Sequence, residues 1–159
     1  MMEDQIFETI YEQTNRPLWS YVARISGDGS VADDILQETY LRFLGAAGSP
    51  TSLADAKPYL FKIATNLVYD RSRSLKRHGE TELDELAGGT DNTLAVDLEL
   101  SQVFSRLTRQ ERVLLWLAYV EGYDHRQIAG IANVNRLSVK VLLFRARRKL
   151  AQMIEGEKI

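Results

Sequence analysis

The sequence has 159 residues, of which 45% are hydrophobic and 26% are charged, and its formal net charge is -2. This balance is ordinary for a folded globular protein and excludes wholesale disorder. A chain of this length forms one ordinary domain or two small helical ones. The absence of cysteine excludes disulfides, thiol catalysis and cysteine-ligated zinc. Only two histidines, His78 and His125, are present, and their distance in the sequence argues against a metal site.

The N-terminal half has the apolar spacing of helices. Apolar residues between 6 and 11 mark a first helix, and Pro17 opens a second that runs through Ile25. A third is predicted over residues 31–46, with Ser30 as its N-cap. Neither the N-terminal MMEDQIFETI nor any later segment resembles a signal peptide or a membrane-spanning helix, so we expect a cytoplasmic protein with no membrane partner.

The third predicted helix starts with a capping-box pattern, Ser30 followed three residues later by Asp33. GSPTSLAD then breaks the helical pattern, which restarts near Ala56 in AKPYLFKIATNLVYDRSRSLKR. In this fourth helix, Leu60 and Ala64 are expected to face inward. The N-terminal half is therefore predicted to be a four-helix module.

Charged residues are segregated along the chain. Four Arg or Lys and no acid lie between Arg71 and His78, whereas seven acids and no Arg or Lys lie between Glu80 and Glu99. Six further basic residues, again with no acid, lie between Asn133 and Leu150. We interpret this as two basic surfaces joined by an acidic linker that contains Gly88 and Gly89. The expected division is residues 1–78, linker 79–97 and residues 98–159.

The C-terminal half is also predicted to be helical. Thr108 and Glu111 form a capping box before RVLLWLAYV, and Asp124 and Gln127 repeat that signal before HRQIAGIA. Gly122 and Asn133 stand where helices end, since both residue types tolerate the left-handed conformation. A short helix, a tight turn and a longer basic helix make a helix-turn-helix.

The last predicted helix, in VNRLSVKVLLFRARRKL, has two faces. Val139, Leu142, Leu143, Ala146 and Leu150 fall on one arc and are expected to pack on the preceding helices. Basic residues cluster on another arc, where they can meet DNA phosphates; they are Arg136, Lys140 and Arg147. We therefore predict an all-α protein of two small helical domains joined by an acidic flexible linker, the C-terminal one a helix-turn-helix.

Three motifs in order resemble those of the extracytoplasmic-function sigma factors of the sigma-70 family. They are SVADDILQETYLRFL, YLFKIATNLVYDRSR and LTRQERVLLWLAYVEGYDHRQIAGIANVNRLSVKVLLFRARRKL. The resemblance runs from about residue 7 to 152, with the linker where the family has one. It implies a transcription initiation factor that binds core RNA polymerase, directs it to promoters and helps to melt the minus-ten element.

In this family the acidic helix of the first motif binds the clamp helices of the polymerase largest subunit. The resemblance therefore implies a core-binding set of Asp33, Asp34, Gln37, Glu38, Leu41 and Arg42. A rival interpretation is a magnesium site for diphosphate chemistry, since paired acids on a helix can hold that ion. Such a site needs a second inward-facing acidic helix, and none is evident in the sequence.

The second motif corresponds to the part of the family that captures the minus-ten element as an unpaired strand. The resemblance implies a minus-ten-binding set of Tyr59, Lys62, Asn66, Asp70, Arg71 and Arg73. Aromatic rings beside cations suit single strands, because bases stack on rings while phosphates meet Lys and Arg. The loop GAAGSPTSLAD lies where the family places a flipped-out base.

The third motif departs from the family pattern in its last helix. Leu137, Val141 and Leu142 stand where small or polar residues often face the major groove, and apolar side chains read little beyond a thymine methyl. Three interpretations stay open: contact with phosphates and thymine methyls, docking on a partner protein, or burial within the chain's own domain. The set expected to bind upstream DNA or a partner is Asn135, Arg136, Leu137, Ser138, Lys140, Val141, Arg145, Arg147 and Arg148.

The resemblance implies no catalytic residue, metal or cofactor. The partners it implies are core polymerase, through its clamp helices and flap, promoter DNA, and an anti-sigma factor or an accessory recruiting protein. Arg109, Arg112 and Trp116 lie in the segment that approaches the flap in the family. The alternative functions are a sigma-like decoy for an anti-sigma factor and a sigma factor that a partner recruits through its apolar last helix.

Overall fold

The computed structural model describes residues 2–77 and 98–157, and within these ranges every regular element is a helix. The N-terminal unit consists of α1 (Asp4–Ser26), α2 (Gly29–Gly45) and α3 (Leu53–Arg77). The C-terminal unit consists of α4 (Leu98–Ser105), α5 (Arg109–Leu115), α6 (His125–Ala132) and α7 (Arg136–Glu157). A π-helical turn over Trp116–Val120 continues α5. The predicted all-α fold with a C-terminal helix-turn-helix is confirmed, while the predicted linker, residues 79–97, lies outside the described residues.

The prediction of four N-terminal helices is wrong, because α1 is one continuous helix that contains Pro17. Proline removes one backbone hydrogen bond within a helix and disfavours its continuation. Here Thr14 and Leu18, on either side of the proline, are both fully buried. The packing of residues before and after Pro17 against the same core therefore outweighs the local preference to break the helix.

The starts of α2 and α3 also differ from the prediction. Asp28, rather than Ser30, is the N-cap of α2, and its carboxylate accepts a 2.9 Å hydrogen bond from the Ser30 backbone N–H. α3 begins three residues before Ala56, and the hydroxyl of Ser52 accepts a 3.3 Å hydrogen bond from the Asp55 backbone N–H. In both places the side-chain cap lies upstream of the first apolar residue that marked the predicted start.

The predicted signals of the C-terminal unit are confirmed. Thr108 with Glu111 and Asp124 with Gln127 form reciprocal capping boxes at the starts of α5 and α6. Lys149 of α7 lies 2.9 Å from a Glu111 carboxylate oxygen. Burial would raise the pKa of Glu111, but its bonds to Lys149 and Thr108 outweigh burial and lower the pKa.

Two hydroxyl pairs join the helices of the N-terminal unit inside its core. Thr14 and Tyr40 lie 2.6 Å apart between α1 and α2, and Tyr21 and Thr65 lie 2.6 Å apart between α1 and α3. All four side chains are buried. These pairs satisfy polar groups that would otherwise destabilise an apolar interior, and they join both α2 and α3 to α1.

The C-terminal unit packs directly against the N-terminal unit. The buried guanidinium of Arg112 in α5 donates a 2.9 Å hydrogen bond to the carbonyl of Ile25 at the end of α1. The rings of Phe61 in α3 and Tyr123 before α6 lie edge to face, with centroids 5.9 Å apart. This packing places the start of the helix-turn-helix beside α3.

Candidate functional site

The predicted core-binding residues lie together on the outer face of α2. All six side chains are exposed, and the carboxylate of Glu38 accepts a 3.0 Å hydrogen bond from Arg42 one turn later. Leu41 is 59% exposed between these charges. The structure thus brings the predicted set onto one surface that combines acidic groups with an apolar residue.

A groove of about 740 Å³ lies beside this surface, between α1 and α2. Trp19 of α1 crosses it, and its indole N–H donates a 2.8 Å hydrogen bond to Asp33. Apolar groups of Leu36, Tyr40 and Leu44 line the wall formed by α2. Burial raises the pKa of Tyr40 to about 12, although its bond to Thr14 acts in the opposite direction. The sequence analysis placed a helix over this segment but did not predict that Trp19 lines a groove.

The predicted minus-ten residues are all on α3, and five of them form one stripe. Tyr59, Lys62, Asn66, Asp70 and Arg73 follow each other at intervals of three or four residues, so they share one side of the helix. We call these five residues the α3 stripe. The sixth predicted residue, Arg71, lies outside this stripe. It follows Asn66 by five positions and is therefore about 140° around the helix from it.

The members of the α3 stripe differ in their availability. Lys62 is exposed, whereas Tyr59 is half-buried with its ring centroid 6.0 Å from that of Phe43. Arg73 donates a hydrogen bond to Asp70, so these two exposed side chains form a pair. Asn66, at the centre of the stripe, accepts a 2.5 Å hydrogen bond from the side-chain amide of Asn133 at the end of α6.

The loop between α2 and α3 is held by its own polar contacts. The hydroxyl of Ser49 donates to the carbonyls of Phe43 at 2.6 Å and Ala46 at 3.2 Å. Gly48 adopts a φ of 79°, which favours glycine. A cavity of about 420 Å³ lies beside this loop, at the C-terminal end of α2. The cavity adjoins the segment in which a flipped base is expected.

α6 and α7 are joined by a tight turn that the sequence explains. Asn133 caps α6 in the left-handed conformation, with a φ of 58°. The side chain of Asn135 then accepts a 2.8 Å hydrogen bond from the backbone N–H of Leu137 and caps the start of α7. Asn135 was predicted to contact DNA or a partner, and in this structure its oxygen serves the turn.

The apolar residues of α7 fall into two groups. Leu137 is 87% exposed, Val141 48% and Phe144 52%, and they follow each other by four and three residues on the outer side of the helix. Leu142 is half-buried and packs against the hydrophobic core. Burial within the chain's own domain therefore accounts for Leu142 and is contradicted for Leu137 and Val141.

Basic residues border this outer side of α7. Those that are exposed are Arg136, Lys140, Arg145, Arg147 and Arg148. Among them, Arg147 donates a hydrogen bond to the hydroxyl of Tyr119, with its guanidinium 6.0 Å from the ring centroid. The exposed Ser138 lies in the first turns of the helix. The structure thus presents a basic surface with an apolar stripe along its middle.

The residues of the predicted flap-approaching segment face inward. Arg112 is 1% exposed and donates to backbone carbonyls, including that of Leu107. Arg109 donates a 2.7 Å hydrogen bond to the Ser72 hydroxyl of α3. Trp116 is half-buried and donates a 3.3 Å hydrogen bond to Glu121. In this arrangement the three side chains serve packing within and between the units.

Metal sites and membrane spans are two further classes of feature that bear on function. Among residues 2–77 and 98–157, no group of three or more metal-ligating side chains is close enough to hold a metal ion. No helix in these ranges has the length and apolar character that crossing a membrane requires.

Comparison with known proteins identifies the family. The family model for Sigma-70 region 2 matches residues 10–78, and that for Sigma-70, region 4 matches residues 97–150. The sigma factor SigL of Mycobacterium tuberculosis is 27% identical over 159 residues, which cover 93% of this chain and 88% of SigL. SigM of Bacillus subtilis is 28% identical over 151 residues, with 90% of this chain and 91% of SigM covered.

A solved structure has the same arrangement of helices. It is the sigma factor RpoE of Bartonella quintana, determined in complex with the anti-sigma factor NepR, with a TM-score of 0.73. At 19% identity, the match covers 94% of this chain and 96% of that one, and it supports the fold. The two family models, together with the curated relatives, show that this chain belongs to the extracytoplasmic-function group of the sigma-70 family and is an RNA polymerase sigma factor that acts in transcription initiation.

Proposed function

We propose that the outer face of α2 binds the clamp helices of core polymerase. The observation that supports this is the coincidence of six exposed residues of the family motif with the apolar groove between α1 and α2. Charged side chains give orientation and association rate, while an apolar groove supplies buried area. Neither a solvated acidic face nor a magnesium site requires such a groove.

The test is a charge reversal on α2. Asp34→Arg with Glu38→Arg is expected to lower the affinity for purified core polymerase at least about ten-fold, since close charge pairs across interfaces often couple by more than about 1.4 kcal/mol. Glu8→Arg with Glu12→Arg, at exposed positions of α1, is the matched control. Unchanged core binding by the α2 variant would show that another surface is used.

α3 is proposed to capture the unpaired minus-ten strand. The α3 stripe supports this role, because it aligns a ring, two cations and an amide along one side of a single helix. Arg71 lies on another side of α3, and we propose that it binds a phosphate of the same strand. The adjacent cavity of about 420 Å³ is a candidate location for a flipped base. Asn66→Ala is expected to reduce open-complex formation on a transcribed promoter, measured by permanganate reactivity of unpaired thymines.

α7 is proposed to hold upstream DNA chiefly through phosphates. Exposed cations on its outer side support this role, while Leu137 and Val141 limit base reading to thymine methyls. In this proposal residues 1–78 bind polymerase and the minus-ten element, and residues 98–159 bind upstream DNA. Residues 79–97 are the linker between these two domains. A template library with randomised upstream sequence tests it, and enrichment of a G- or C-specific motif would contradict it.

The remaining functional expectations follow from the family. Because RpoE of Bartonella quintana forms a complex with an anti-sigma factor, an anti-sigma factor is the regulator that we propose for this chain. A sigma factor directs a polymerase that carries out the chemistry, so we infer that this chain has no catalysis of its own. Bacterial polymerase works in the cytoplasm, and we infer the same location here.

A further inference from the structure

The C-terminal unit is seated on the helix that carries the α3 stripe. Asn133 of α6 donates to Asn66, Arg109 of α5 donates to Ser72, and Lys57 of α3 lies 3.1 Å from Glu121. We propose that this docking is an autoinhibitory contact, in which the C-terminal unit and the minus-ten strand compete for α3. The inference rests on the proposed DNA-binding role of α3 and adds a mode of regulation within the chain.

Competition follows from where Asn133 meets α3. Tyr59 and Arg73 are fourteen positions apart, so the α3 stripe is about 21 Å long, and Asn66 lies at its middle. While the units are docked, the end of α6 stands at this middle point and the side-chain oxygen of Asn66 is engaged. A strand that follows the stripe from one end to the other must displace α6.

An ion pair nearer the start of α3, between Lys57 and Glu121, makes the docking sensitive to a single charge. The side chain of Glu121 is 6% exposed, and its two carboxylate oxygens meet the Lys57 ammonium and the indole N–H of Trp116. A buried carboxylate needs its counter-ion, because loss of one partner leaves an uncompensated charge. Lys57 is on the N-terminal unit and Glu121 on the C-terminal unit, so separation of the units breaks this pair and exposes both groups to water.

One side chain opposes the docking. The ring of Tyr123 packs edge to face on Phe61 of α3, and its hydroxyl is buried and has no hydrogen-bond partner in the described part of the chain. A buried hydroxyl without a partner disfavours the state that buries it. Separation of the units would return this hydroxyl to water. The contact therefore combines groups that stabilise the docked state with one that destabilises it. Such a balance allows both the docked and the open state to be populated.

Substitutions at these positions move the equilibrium in both directions. Lys57→Glu places two like charges together and is expected to open the units, while adding Glu121→Lys restores an ion pair and is expected to close them again. Asn133→Gly removes the amide but keeps a residue that suits a φ of 58°. Tyr123→Phe removes the unsatisfied hydroxyl and is expected to favour the docked state.

Distance and DNA binding are measured on the full chain. Because the sequence has no cysteine, Glu12→Cys with Gln152→Cys gives two unique and exposed labelling positions, one in each unit. Double electron–electron resonance measures the distance between spin labels at these two positions, and so the separation of the units. Fluorescence anisotropy with a sequence-randomised, fluorescein-labelled single-stranded DNA reports affinity. An opened variant gains about ten-fold in affinity if about one wild-type molecule in ten is open.

The expected result is a short distance in the wild type, longer distances with higher DNA affinity in Lys57→Glu and Asn133→Gly, and recovery in the charge-swapped pair. Tyr123→Phe should bind DNA more weakly. A single distance in all variants, or opened units with unchanged DNA affinity, would overturn the autoinhibition. Asn66→Ala in the Lys57→Glu background separates the two proposals: if the units open but this change leaves promoter opening intact, the role of Asn66 in strand capture is the part that fails.

Discussion

Trp19 and Asp33 are joined by a 2.8 Å hydrogen bond that runs from the indole N–H on α1 to a carboxylate oxygen on α2. The bond orients a carboxylate of the proposed core-binding surface. Trp19→Phe keeps most of the ring and removes the donor, and a hydrogen bond to a charged group is worth about 1.5 kcal/mol, so affinity for core polymerase should fall by about ten-fold. Equilibrium binding of labelled protein to core enzyme measures the change.

The control for this change is Thr9→Ala. It also removes a side-chain hydrogen bond on α1, the 3.0 Å bond to the Gln5 carbonyl, but at an exposed position outside the residues that line the groove. Equal core affinities for the wild type and Trp19→Phe, with both folded by circular dichroism, would mean that Asp33 needs no positioning.

Arg112 is expected to be a determinant of stability. Its guanidinium donates to the carbonyls of Leu107 and Ile25, and it is 1% exposed. Arg112→Met leaves buried carbonyls without these donors, so the free energy of unfolding should fall by about 2 to 3 kcal/mol. Urea denaturation measures it, with Arg126→Met as the exposed control. A midpoint equal to that of the control would show that water replaces the missing donors without penalty.

Two exposed glycines should respond in opposite directions to the same substitution. Gly122 has a φ of 74°, whereas Gly130 lies inside α6, and a Cβ at either position would meet nothing within 4 Å. Gly122→Ala should destabilise the protein by about 1 to 2 kcal/mol through backbone strain. Gly130→Ala should stabilise it by about 0.5 to 1 kcal/mol through helix propensity. Thermal unfolding of both variants checks the sign, and a shift of the same sign in both would contradict the backbone argument.

The cations of α7 should differ in their contribution to DNA affinity. Arg136 and Lys140 are exposed, whereas Arg147 is engaged with Tyr119. Arg136→Ala and Lys140→Ala, each made alone, should reduce the slope of log affinity against log salt by about 1, because the protein then neutralises one phosphate fewer. Arg147→Ala, on the same helix and with the same change of charge, should reduce it less. A salt titration with duplex DNA measures the slopes, and equal reductions would mean that Arg147 leaves Tyr119 when DNA binds.

Stability should decline in alkaline solution. Burial raises the pKa of Tyr40 to about 12, against the effect of Thr14, and burial likewise raises the pKa of Tyr69 to about 12. The unfolded chain loses these protons near the ordinary tyrosine pKa of 10.0, so the stability linked to them is complete below about pH 10 and is lost as the pH rises towards about 12.

The measurement for this prediction is the urea midpoint as a function of pH, followed together with tyrosinate absorbance. Tyr40→Phe should flatten the alkaline decline, because it removes one of the two buried hydroxyls whose pKa is raised to about 12. An identical alkaline slope in wild type and Tyr40→Phe would show that Tyr40 ionises without resistance from the fold.

Local signals in the sequence predicted local structure well. The capping boxes that begin at Thr108 and Asp124 and the left-handed Asn133 depend on residues within four positions of each other, and all are present. The prediction that a new helix begins at Pro17 was wrong, because it too depended on a local signal. Proline locally disfavours a continuous helix, but the packing of the residues on both sides of it against the core favours one. The start of α2 was likewise placed at Ser30 because the cap, Asp28, precedes the apolar pattern.

Contacts between residues that are far apart in the chain could not be predicted from the sequence. Arg112 and Ile25 are 87 positions apart, and Asn66 and Asn133 are 67 apart. Nothing in the spacing of either residue indicates its partner, because these contacts depend on how one unit lies on the other. The same limit applies to α7: helical spacing predicted its inward arc, but the exposure of Leu137 and Val141 became evident only when the surrounding helices were in place.

The left-handed geometry at position 133 has an evolutionary consequence. Few residues other than Gly, Asn and Asp adopt a φ of 58° without strain. Substitutions at this position are therefore restricted to a small set of residues. Members of that set differ in whether they can donate a hydrogen bond to Asn66, but all of them preserve the turn. Under the proposed autoinhibition, an exchange at position 133 would change how readily promoters are opened, while the residues proposed to bind those promoters stay unchanged.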